Sequence, residues 1–252
     1  MAFHRPRVRR FDGAVVVYEA TWSLRAEQMA KLVPQAKARV AEVLGIGSDE
    51  PVFIFVYSSE RQVVQFLGRP DMEKRIKFFS GEPVRVSDSP WTPGDIGIVA
   101  PDLAGRDDWA PTMLAHEMAH ALTEEWFADA PQVPHLILEG IGVAVEGDRS
   151  YAALKDELLS GNKNEPLLQA LAYGNLWQNN DIARVDLLYE EGGSLVRYIL
   201  AGWGPRALRR FAVDVGTSDL TESPIEYAVK REFHVSWERF YAGWRSYVLT
   251  LP

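Results

Sequence analysis

The chain is expected to fold as an α+β protein, with strands and helices mixed up to about residue 105 and helices alone beyond it. Three observations predict this. Runs of β-branched and aromatic residues stand at 11–20 and 51–57. Apolar residues recur at helical spacing from Ser23 to Leu44 and again from Pro134 onward. Glycines at 161, 174, 202, 204 and 216 then cut the second half into helix-sized pieces. At 252 residues the chain has room for one large domain or two lobes sharing a cleft. We expect a single unit over 1–252, made of an N-terminal α/β lobe at 11–125 and a helical lobe at 126–252.

Val15, Val16, Val17 and Tyr18 give the first strand its β-branched core. Upstream, Arg5, Arg7, Arg9 and Arg10 alternate with Pro6 and Val8, and this basic stretch is read as a solvated, frayed arm. Leu24, Met29, Leu32, Val33, Val40, Val43 and Leu44 line one helical face, with Pro34 implying a kink or two shorter helices and Gly45 and Gly47 a stop. Val52-Phe53-Ile54-Phe55-Val56-Tyr57 is apolar on both faces, as a central strand would be. Ser58 or Ser59 can cap a short helix to Leu67. Residues 68–93, with Pro70, Pro83 and Pro90, read as a long irregular insertion, functional or simply a surface loop. The 94–100 stretch, glycine-bearing and stopped by Pro101, suits an edge strand. Asp107 or Asp108 can cap the next helix, with Pro111 in its first turn. Further helices are expected from Pro134 to about Glu146 and at 149–160, 165–173, 185–202, 205–215, 223–231 and 236–249.

Composition narrows the function. The formal charge of −8 argues against a general nucleic-acid binder, which needs a basic face. No apolar run is long enough for a membrane helix, and no signal-peptide core is visible, so a cytoplasmic location is the default expectation. Cysteine is absent, so metal ligands must come from His, Asp or Glu, a donor set that suits a catalytic zinc better than a closed structural one.

Such ligands are present. His116-Glu117-Met118-Ala119-His120 lies in a segment that reads as helix on its apolar spacing alone. Positions i and i+4 stack on one helical face, so the two imidazoles can converge on one ion while Glu117 reaches a water held there. A catalytic zinc needs a third protein ligand. Glu139 follows His120 after eighteen intervening residues, on the next predicted helix. Glu146 lies seven residues further, two turns along the same face of an otherwise apolar helix. Carboxylates so placed call for a metal and a group orienting its ligands, the alternative being a solvated helix face. His135 competes with Glu139 on geometry, but directly after Pro134 it is read as a frayed-end bystander. His4 and His234 have no evident partner, and His234 is read as a surface or packing residue rather than an oxyanion donor.

The His116-Glu117-x-x-His120 motif with Glu139 resembles the gluzincin metallopeptidases. The stretch from Pro134 to Gly147 is similar to the E-G-x-A-x-x-x-E-G segment of the peptidase-MA-like branch, with Gly142-Val143 replacing the usual A-x order. Leu188 to Leu200, followed by Gly204, and the terminal helix with Trp237, Phe240 and Trp244 are similar to that branch in character. The resemblance covers roughly residues 11–250. It implies a zincin-like fold in which an edge strand, here 94–100, runs beside the active-site helix and pairs with extended peptide. It also implies Zn2+ on His116, His120 and Glu139, acidifying a bound water, with Glu117 as general base. Tyr189 is the implied donor to the tetrahedral intermediate, and Glu146 orients a ligand histidine. No G-x-M-E-N-type sequence is present to grip a free N-terminus, so an endopeptidase acting on peptide or protein substrates is expected. The competing readings are a catalytically silent zinc-binding relative serving as a binding module, and a hydrolase of a non-peptide amide.

Overall fold

A computed structural model describes residues 6–59, 61–62, 96–99, 110–127, 130, 133–147, 149–160, 182–217 and 223–252. The chain divides into two compact units, Met1–Glu125 and Trp126–Pro252. Its class is α+β: a small mixed sheet near the N-terminus, then helices.

In the first unit, strands β1 (Arg7–Phe11), β2 (Ala14–Tyr18), β3 (Val52–Tyr57) and β4 (Ile96–Val99) form one sheet in that order. The expectation of a frayed arm at residues 5–10 is corrected for the described part, because Arg7 to Arg10 belong to β1. Phe11 stands opposite Ala14, leaving Asp12-Gly13 as a two-residue turn with φ +71° at Gly13. Asp-Gly is a strong hairpin signal because glycine takes positive φ at no steric cost. Most of β1 is exposed, as its alternating charges require. On one face Arg9 pairs with Glu27, and its guanidinium lies 4.9 Å over the Phe11 ring. β2–β3 and β3–β4 are parallel, with the helix α1 (Ser23–Leu44) serving as the β2-to-β3 crossover. β3 is internal, as its composition predicts, and β4 ends the sheet order among the described residues. Val16, Ile54, Val56, Ile96 and Ile98 are buried, while Phe53 of β3 is exposed.

Pro34 does not divide α1, contrary to the expected kink or pair of helices. A mid-helix proline costs about 3 kcal/mol through its lost N–H and its ring clash. Burial of Met29, Val33, Ala36 and Val40 against the rest of the unit offsets that cost. Gly45, at φ +65°, closes α1 with its N–H on the Ala41 carbonyl. The helix α2 (Ala110–Thr123) packs on α1 and touches β4.

The second unit contains α3 (His135–Glu146), α4 (Ala152–Leu159), α5 (Ile182–Trp203), α6 (Pro205–Thr217), α7 (Pro224–Phe233) and α8 (Trp237–Val248). α5 is its axis, with α3, α4, α6 and α8 all packed on it. Aromatic residues fill the distal core: Phe233 and Phe240 stack with ring centroids 5.3 Å apart, and Tyr198 meets Phe240 edge-on at 5.3 Å. The indole N–H of Trp244 donates to Ser194 Oγ at 3.1 Å, so this fully buried tryptophan is satisfied. No described helix is long and apolar enough to cross a membrane. The insertion at 68–93, the Asp107 and Asp108 caps, the 165–173 helix, His4 and most of the short helix to Leu67 lie outside the described residues.

Candidate metal centre

α2 buries the polar side chains of its His116-Glu117-x-x-His120 stretch. Alanine, methionine and leucine dominate its sequence, all strong helix formers, and Met113 through His120 are buried without interruption. In its last turn Thr123 Oγ1 donates to the Ala119 carbonyl at 2.7 Å, which satisfies this buried hydroxyl. His116, Glu117 and His120 are each no more than 5% exposed. Burying three ionisable groups on one helix is costly unless each has polar partners. The two rings stand edge to face, with centroids 4.8 Å apart, and their Nε2 atoms approach to 3.0 Å.

Glu139 is half-buried in the middle of α3. His116, His120 and Glu139 are one group able to hold a metal: each offers one ligand atom, and these atoms lie within 4.8 Å of one another. The donor set fits zinc. Nitrogens bound tetrahedrally at about 2.0–2.1 Å stand roughly 3.3 Å apart, close to the separation of the two imidazoles.

Two glycines fix the helix that carries Glu139. A Cβ at Gly140 would lie 2.4 Å from the Gly192 carbonyl oxygen, and one at Gly192 would lie 2.4 Å from the Leu136 oxygen. Backbone thus meets backbone where α3 crosses α5, with Glu139 immediately beside the contact. Gly193 is similarly enclosed: a Cβ there would overlap Val143 Cγ1 and lie 3.2 Å from the Tyr151 hydroxyl.

The remaining predicted residues are spread along the same two helices. Glu146 ends α3, about 10.5 Å along the axis from Glu139, and its Oε2 pairs with Arg149 at 3.3 Å. Tyr189 is half-buried on α5, its ring 5.3 Å from the same guanidinium. His135 is exposed at the start of α3, in keeping with a bystander. His234, also exposed, closes α7 at φ +57°, which fits the surface role assigned to it.

Several residues near these were not singled out by the sequence. Glu190 is buried and accepts the Leu154 N–H at 2.8 Å, so a carboxylate from α5 caps the N-terminus of α4. Burial pushes its pKa up; the Leu154 bond and the nearby Arg149 charge act the other way. Tyr151 is fully buried, and desolvation pushes its phenol up to about 12 despite the opposing charges of Arg197 and Arg149. Arg197 lies over its ring at 5.6 Å and donates to the Gly147 carbonyl. The only hint of Arg149 in the sequence is a cation three residues after Glu146, just past the Gly147 stop.

Comparison of the chain with protein-family models, with curated proteins and with solved structures finds no match in any of the three.

Proposed function

We propose that the chain is a zinc-dependent hydrolase of peptide bonds, of zincin type, acting as an endopeptidase. The observation that carries this reading is the gathering of His116, His120 and Glu139 within 4.8 Å, with Glu117 buried on the same helix as the two histidines. Three protein ligands leave a fourth position for chemistry, whereas a closed structural site would use four. Zinc in such a site supplies Lewis acidity, polarising a carbonyl and making water nucleophilic near neutral pH.

The chain's own residues then divide the work. His116 and His120 present imidazole nitrogens, and Glu139 supplies the anionic ligand. Glu117 accepts a proton from the attacking water and returns it to the departing amine. Tyr189 donates its phenol O–H to the oxygen that gains charge as the carbonyl becomes tetrahedral. Glu146 is assigned to the ring N–H of a ligand histidine, fixing its tautomer. Extended peptide is the substrate class, with the β4 edge offering backbone groups for pairing.

The test compares wild type with Glu117→Gln for bound metal and for cleavage of fluorescent casein. Expected are stoichiometric zinc in both proteins and cleavage in wild type, reduced at least about a hundredfold in the variant. Zinc in both with cleavage in neither refutes the peptidase reading in favour of a binding module. A wild type unable to hold zinc refutes the site itself. Hydrolysis of simple amides without casein cleavage would point to a non-peptide substrate.

A further inference from the structure

The Gly147 turn that ends α3 brings Arg149 back against α5. The Arg149 side chain is mostly enclosed, at 27% exposure, and its guanidinium meets Glu146 and Tyr189. Its Nη1 is 3.3 Å from Glu146 Oε2, and its Cζ lies 5.3 Å from the centroid of the Tyr189 ring. The carboxylate holds the planar fork in place from one side, and the fork presents its charge to the aromatic ring. A cation within about 6 Å of a ring centroid is attracted by the ring's quadrupole, more strongly where water is excluded. Arginine suits this double task because its flat, always charged group can pair with a carboxylate and lie against an aromatic ring together.

We infer that Arg149 is a positioning residue, a clamp between Glu146 at the end of α3 and Tyr189 on α5 that fixes the Tyr189 side chain for its role in hydrolysis. The inference rests on the hydrolase reading, since it is through Tyr189 that the clamp affects turnover. Arg149 is not a member of the His116, His120 and Glu139 group, and it acts through Tyr189. It restricts the motion of the half-buried Tyr189 ring before the reaction begins. Tyr189 and Glu190 are adjacent on α5, so the Glu190 cap on Leu154 anchors the same stretch of helix from the α4 side.

The experiment is a double-mutant cycle in the full-length, zinc-loaded protein with Arg149→Met, Tyr189→Phe and their combination, plus Arg149→Lys. In parallel, 3-fluorotyrosine at position 189 is followed by 19F NMR in wild type and Arg149→Met. Expected for Arg149→Met, assayed with zinc bound, is a fall in kcat of about tenfold with KM within about twofold. The double variant should be no slower than Tyr189→Phe alone, because the clamp has nothing left to position. Arg149→Lys, keeping the charge without the plane, should recover part of the loss and guards against a folding defect in the methionine variant. The 19F resonance should move on loss of the guanidinium.

Multiplicative effects of the two single substitutions, or a 19F resonance that stays in place, overturn the clamp while leaving the hydrolase reading intact. A zinc-loaded wild type without hydrolytic activity overturns the hydrolase reading, and the catalytic role of the clamp with it.

Discussion

The contact between Gly140 and Gly192 makes a sharp prediction about an alanine at position 140. Its Cβ would sit 2.4 Å from a backbone oxygen of α5, and to reach ordinary contact the two helices must part by about 1 Å. Neither partner is a flexible side chain that can swing away. Overpacking of this kind costs about 1–3 kcal/mol, of which roughly 1 kcal/mol is returned by the better helix propensity of alanine. The net expectation is a loss of up to about 2 kcal/mol, or a melting midpoint lower by up to about 8 °C. Because Glu139 is the neighbouring residue, the same displacement should weaken zinc binding. Gly202→Ala is the internal control: it also lies in a helix, yet a Cβ there meets nothing within 4 Å. That substitution should stabilise by about 0.4–1 kcal/mol through the unfolded chain. Urea unfolding of the three proteins, with zinc titration of each, tests the pair. If Gly140→Ala is as stable as wild type and binds zinc equally well, the close approach of α3 to α5 is refuted, and with it the account of how Glu139 is positioned.

Two further outcomes follow from the buried polar groups of the second unit. Ser194→Ala removes the acceptor of the Trp244 indole N–H in a fully buried site and should cost about 1–3 kcal/mol in urea unfolding; a loss under about 0.5 kcal/mol would mean that the bond is not formed. Glu190 has its pKa raised by burial, so its contribution to stability is fully present below the unfolded-state pKa and is lost as pH rises through the folded value. Glu190→Gln keeps an acceptor for the Leu154 N–H without the charge, so its stability relative to wild type should be higher at pH 7 than at pH 4; a difference that is flat across that range would contradict the shift.

The α+β class was legible because periodicity reports local geometry. The β-branched and aromatic run from Val15 to Tyr18, a helical period in Ser23 to Leu44, and glycine stops such as Gly45 and Gly147 need no tertiary information. The Asp12-Gly13 hairpin was equally legible, and reading the arginines of β1 as an arm overlooked it: exposure of alternating charges describes an edge strand as well as a loose terminus. Pro34 shows the opposite limit. Its local cost is real, but burial along α1 outweighs it, and burial cannot be counted from sequence spacing.

For the candidate site, the order of the donors follows from local sequence alone. His116 and His120 must share a helical face whatever surrounds them, because the backbone repeats every 3.6 residues or so. Glu139 is different in kind: eighteen intervening residues set no distance, and only the folded chain brings its carboxylate within 4.8 Å of both imidazoles. The same holds for the pairing of Gly140 with Gly192, the Glu190 cap on Leu154, and the approach of Arg149 to Tyr189. Those contacts join residues 36 to 52 positions apart, where the outcome depends on how two helix surfaces fit rather than on any local preference.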